Sequence, residues 1–124
     1  MDVTLKIEVE ELSGRVPVTV LHLQGWLDAQ SEELLLAAAV EVYESGARYL
    51  LLNLAEVETL TSAGMRAMQK AYKLFTPSGE SYKVAHIKIC NAPPQIHQVL
   101  GITGFTQNIP NFDSLQAAID SFAE

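Results

Sequence analysis

YLLLNLAEVETLTSAGMRAMQKAYKLF, Tyr49 to Phe75, is the stretch that decides the fold. Four consecutive apolar residues, Tyr49 to Leu52, together with Leu54 predict a strand buried on both faces. Parallel strands inside α/β layers have that habit, because helices cover them on either side. Met65, Met68, Tyr72 and Phe75 then recur at helical spacing and predict the core-facing side of a helix. Pro77-Ser78-Gly79 supplies its stop. Between strand and helix lies LTSAG, Leu60 to Gly64, two hydroxyl residues followed by two small ones.

Upstream, VTLKIEVEEL alternates Val3, Leu5, Ile7 and Val9 with polar residues, the pattern of a half-buried strand. A turn at Ser13 to Pro17 leads into VTVLHLQG, from Val18, the expected hairpin partner. Asp28 or Ser31 is placed to cap the next helix. That helix shows Leu35, Ala38, Ala39 and Val42 on one face and stops at Gly46. Downstream, SYKVAHIKIC is a further strand with Val84, Ile87 and Ile89 apolar. Pro93-Pro94 opens a helix whose apolar face is Ile96, Val99 and Leu100. TQNIP is a short strand candidate, and Asp113 with Gln116 has the spacing of a capping box. Leu115, Ala118, Ile119 and Phe122 point inward from the last helix.

The order is β-β-α-β-α-β-α-(β)-α. Strands alternating with helices after a first hairpin imply an α/β fold. The expectation is a four- to five-stranded mixed sheet packed against helices, forming one domain over residues 1–124.

Composition narrows the function classes. Hydrophobic residues make up 48% of the 124 and charged ones 19%, a globular balance. Fifteen Asp and Glu outweigh eight Lys and Arg, for a net charge of -7. The basic residues are scattered, which argues against a nucleic-acid surface or direct binding to anionic headgroups. No stretch reaches the ~20 apolar residues of a membrane helix, so no direct membrane insertion is expected. The alternating acidic N-terminus does not read as a signal peptide. One cysteine, Cys90, fits a reducing cytoplasm and a buried thiol.

Motifs for catalysis are missing. There is no Gly-rich phosphate loop. Ser62 lacks the flanking glycines of a nucleophile elbow. His22, His86 and His97 are far apart, with no Cys/His pair at ligand spacing, so neither a metal nor a cofactor is expected. His22 and His86 read as strand histidines and His97 as solvent-facing. Asp28 with Glu56 or Glu58 is the one conceivable carboxylate pair, and nothing in the spacing requires that they meet. The expected protein is not an enzyme.

What remains is the strand-to-helix junction. α/β folds place sites at the ends of parallel strands, and a helix N-terminus favours anions. A phosphate on a hydroxyl there would add about -1.5 to -2 charges to the surface. The plainer role is N-capping by Thr61 or Ser62, worth ~1 kcal/mol.

The chain resembles the STAS domain family, which includes bacterial anti-sigma factor antagonists and the cytoplasmic tails of sulphate transporters. LQGWLDAQSEELL, Leu23 to Leu35, resembles the family's early L-x-G-x-L-D block. LLLNLAEVETLTSAGMRAM resembles its central block, a strand followed by D-S-[ST]-G opening a helix. NAPPQIHQVLGITGF, Asn91 to Phe105, resembles the late block, a Pro-initiated helix ending in L-x-x-T-G. The resemblance implies that an anti-sigma factor with serine kinase activity phosphorylates the serine two positions before the glycine, here Ser62, with Thr61 the second choice. It also implies that phosphorylation switches off binding. The docking surface would comprise Asp28, Thr61, Ser62, Ala63, Gly64 and Met65. The family's usual Asp is Thr61 here, and the following Ser/Thr is Ala63. Two alternatives within the family are an accessory subunit of an ABC-type lipid transporter and a scaffold or sensor subunit of a stress-signalling complex.

Overall fold

The structure is a computed structural model and describes residues 5–76, 86–104 and 109–122. Expectations on Val3, Pro77-Ser78-Gly79, Val84 and Thr106 to Asn108 lie outside those residues.

The elements run β1 (Lys6–Ser13), β2 (Pro17–Leu27), α1 (Glu32–Glu44), β3 (Leu50–Leu60), α2 (Ser62–Phe75), β4 (Ile87–Cys90), α3 (Pro94–Ile102), β5 (Asn111–Phe112) and α4 (Leu115–Ser121). The five strands form one mixed sheet in the order β1-β2-β3-β4-β5. β1 and β2 are the antiparallel hairpin, and the remaining neighbours are parallel. The expected α/β architecture is therefore the observed one, with five strands.

Both faces of the sheet are covered, and β3 shows how. Leu50, Leu52 and Leu54 point into a core shared with Leu35 and Ala39 of α1, Met68 and Phe75 of α2, and Ile96 and Leu100 of α3. Leu51 points the other way, into a second core with Val18, Val20, Cys90 and, from α4, Ala118, Ile119 and Phe122. Side chains alternate along a strand, so a strand between two helical layers must be apolar at every position. That is why Leu50 to Leu52 form an unbroken run.

Three local details depart from the sequence reading. The short strand falls on Asn111–Phe112, just past TQNIP. α4 is capped by Ser114, whose hydroxyl accepts from Ala117 N–H at 3.1 Å. Asp113 lies one residue too early for that bond, and Gln116 instead donates to Asp120 one turn on. The dry face fades on entering β1: Leu5, just before the strand, is buried, Ile7 half-buried and Val9 51% exposed. An edge strand has a neighbour on one side only.

One buried group was not anticipated. Lys88 lies in β4 and is 8% exposed. Its ammonium donates to the Ser121 carbonyl at 3.0 Å and to the Ser121 hydroxyl at 2.9 Å, at the last turn of α4. It also sits 4.5 Å from the centre of the Phe122 ring. A cation at a helix C-terminus meets free carbonyls and the negative end of the dipole. Burial holds its pKa below the ordinary lysine value.

Candidate functional site

The site forms where β2 and β3 end side by side. Leu27 and Leu60 are paired in register, and the Thr61 N–H donates to the Leu27 carbonyl at 2.9 Å. Asp28 and Thr61 thus leave the sheet together. Gly25 shapes the approach. Its φ of +112° lies where β2 and β3 shift register, a bulge conformation that side chains rarely adopt. This is the physical use of the glycine in LQGWLD.

α2 begins on top of this edge. Thr61 is extended (φ -108°, ψ 175°) and is the N-cap. Its hydroxyl oxygen accepts from Gly64 N–H at 3.4 Å, and its hydroxyl lies 3.4 Å from the Leu27 carbonyl, to which it donates. Gly64 is buried against β2: a Cβ on it would lie 2.3 Å from the Leu27 carbonyl oxygen. Ser62 is the first helical residue and is exposed. No hydrogen bond from the described residues reaches its hydroxyl. The two adjacent hydroxyls therefore differ: one is spent on the cap, the other has no partner among the described residues.

The turn before α1 is tied to itself. Asp28 Oδ1 accepts from the N–H groups of Gln30 at 3.0 Å and Ser31 at 3.2 Å. Ser31 is the N-cap residue, but its hydroxyl turns back to donate to the Trp26 carbonyl at 2.7 Å and makes no bond to the helix. Asp28 does not pair with Glu56, which the register sets opposite Gln24. On the far side of Ser62, the Thr103 hydroxyl at the end of α3 lies 3.5 Å from the Met65 sulfur. Ile102 beside it is 78% exposed. Asp28, Thr61, Ser62, Met65 and Thr103, distant in sequence, thus border one surface, while Ala63 and Gly64 are buried beneath it.

A cluster of charge joins the two helices beside this surface. Arg66 donates to Glu32 through Nε at 2.9 Å and Nη2 at 3.0 Å, and Lys70 donates to the same carboxylate at 3.2 Å. The hydrogen bonds from Arg66, then Lys70, hold the Glu32 carboxyl down to about 2. Glu32 in turn raises the Arg66 guanidinium. The spacing of these residues is visible in the sequence, but their meeting depends on how α1 packs on α2.

The other candidates are structural. Cys90 is fully buried, and burial pushes its thiol up to about 11. His22 is bonded at both nitrogens, to Glu10 at 2.8 Å and to the Asn53 amide at 2.9 Å. His86 stacks on Tyr49 with ring centres 5.0 Å apart. His97 is exposed on α3. Among the described residues no group of three His, Cys, Asp or Glu side chains is placed to hold a metal. No helix among them is long and apolar enough to cross a membrane.

Comparison with known proteins agrees with this geometry. The STAS domain model matches residues 6–118. BtrV of Bordetella bronchiseptica, provisionally named an anti-sigma factor antagonist, is 26% identical over 119 residues, 95% of each chain. The crystal structure of an anti-sigma factor antagonist from Mycobacterium paratuberculosis superposes with a TM-score of 0.80 at 21% identity, covering 98% of this chain and 96% of that one. The anti-sigma factor antagonist SpoIIAA, unphosphorylated, gives 0.71 at 16% identity over 93% and 94% of the two chains. The phosphorylated form of SpoIIAA, a Bacillus cell-fate determinant, gives 0.65 at 16% over 93% and 97%. At these identities the superpositions establish the fold, and the family match establishes the lineage: the chain belongs to the STAS domain family.

Proposed function

We propose that this protein is an anti-sigma factor antagonist, a non-enzymatic binding domain that docks an anti-sigma factor with serine kinase activity. Its docking surface is the edge formed by Asp28, Thr61, Ser62 and Met65; Ala63 and Gly64, expected there from the sequence, are buried beneath it and position the turn. The kinase transfers the γ-phosphoryl group of ATP to Ser62 Oγ, releasing ADP and passing the hydroxyl proton to a base on the kinase. The added charge then disrupts docking, because a dianion in a closely packed interface must be desolvated or paired.

The observation that carries this reading is the division of labour between the two hydroxyls. Thr61 is held in the cap, while Ser62 is exposed and its hydroxyl has no partner among the described residues. The relatives named as antagonists, and the existence of SpoIIAA in two phosphorylation states, support it. Thr61 also accounts for the departure from the family's Asp. Asp and Thr are both N-cap residues, so the cap survives with a neutral side chain. The net charge of -7 suits a partner with a basic face and would speed encounter.

Incubation with the cognate kinase and ATP, followed by mass spectrometry, tests this. One phosphate on Ser62, and loss of kinase binding by the modified protein, are expected. Phosphate elsewhere, or undiminished binding after modification, overturns the assignment.

A further inference from the structure

Two cations of α2 share one carboxylate of α1. Glu32 receives both Arg66 and Lys70, so the cluster holds two cations against one anion. One cation can leave without stranding the carboxylate. Both cations are about half exposed, Arg66 at 55% and Lys70 at 50%, against 15% for Glu32, so position and not exposure singles out Arg66. Arg66 stands four residues after Ser62 on the same helix. Side chains at that spacing share a face, with Cβ atoms about 5–6 Å apart. Helical side chains lean toward the N-terminus, so Arg66 leans toward Ser62. The first turn of α2 contains no acidic residue to compete for it.

We propose that this cluster reads the modification state of Ser62: a phosphate there draws Arg66 away from Glu32, and Lys70 keeps Glu32 paired. The inference rests on Ser62 being the phosphoacceptor. A dianionic phosphate offers more charge and more acceptor oxygens than one carboxylate, and guanidinium matches it through two parallel bonds. The consequence reaches beyond added charge. Glu32 is the first residue of α1, directly after the Asp28–Ser31 turn. Losing Arg66 alters the clamp between the first turn of α1 and the second turn of α2, next to the docking edge. Phosphorylation then changes the shape of the surface as well as its charge.

The test places phosphoserine at position 62 by genetic encoding, so that no kinase is needed. The phosphate is titrated by phosphorus NMR, and the Arg66 Nε–H resonance is followed with and without the modification. In the wild type the second phosphate ionisation is expected below its ordinary value of about 6. Arg66→Gln should raise that midpoint by about half a pH unit, the scale of an exposed ion pair. Glu32→Gln, which frees Arg66, should lower it. The Arg66 Nε–H signal should move on modification. Equal midpoints in the wild type and Arg66→Gln, with an unmoved Nε–H signal, overturn the inference. Should Arg66→Gln fail to fold, as judged by circular dichroism, the Nε–H signal in the wild type decides alone. Failure of the kinase to modify Ser62 would instead count against the proposed function and leave this measurement intact.

Discussion

Gly64 packs so closely on Leu27 that a Cβ would lie 2.3 Å from the Leu27 carbonyl oxygen and 2.9 Å from the Leu27 Cβ. The obstacle is backbone, which cannot swing aside. Gly64→Ala must therefore lift the first turn of α2 off the end of β2. A loss of roughly 1–3 kcal/mol is expected in urea denaturation, the range for overpacking. Helix propensity alone predicts the opposite, a gain of about 1 kcal/mol. The sign of the change separates the two.

Thr61→Ala should cost ~1 kcal/mol, the usual value for losing an N-cap hydroxyl. Ser62 keeps its exposed position in this variant. Kinase treatment should then still modify Ser62, while thermal unfolding shifts down. Modification that disappears with Thr61 would identify Thr61 as the acceptor.

Glu32 makes an acid-range prediction. Its folded-state value, about 2, lies below the ordinary 4.5. A carboxylate with a depressed pKa contributes stability above its unfolded value and loses it as protons bind. The contribution is present above pH 4.5 and fades between about 4.5 and 2. The stability advantage of the wild type over Glu32→Gln should be constant above pH 4.5 and disappear between about 4.5 and 2 in pH-dependent unfolding.

Cys90 makes the alkaline counterpart. Its thiol is raised from 9.0 to about 11 because burial disfavours the thiolate. The folded state keeps its proton longer than the unfolded one, so stability falls as pH rises from 9 toward 11. Cys90→Ala should remove that part of the slope. Lys88 acts in the opposite direction, since its lowered pKa makes stability rise with pH as it approaches 10.5. Lys88→Met should therefore steepen the alkaline loss.

Leu51→Ala should cost about 2–5 kcal/mol, as for a large side chain deleted from a full core. Leu51 is fully buried in the second core against residues of α4. A loss below about 1 kcal/mol would show that α4 does not cover that face.

The pattern of Tyr49 to Phe75 was enough to establish a doubly covered strand leading into a helix, because burial on two faces and the helical period both leave a direct imprint on residue type. The same holds for the hairpin, the Pro94 helix start and the Gly46 stop, each governed by neighbours in the chain. Which hydroxyl caps α2 was not legible, since Thr and Ser both cap well and the choice follows from Thr61 pairing with Leu27, a residue 34 positions away. The buried Lys88 was hidden for the same reason: its partner, Ser121, comes from the covering layer. The sharing of Glu32 between Arg66 and Lys70 depends on the packing of α1 against α2. Local periodicity and turn chemistry are written residue by residue, whereas these contacts exist only once distant segments have been brought together.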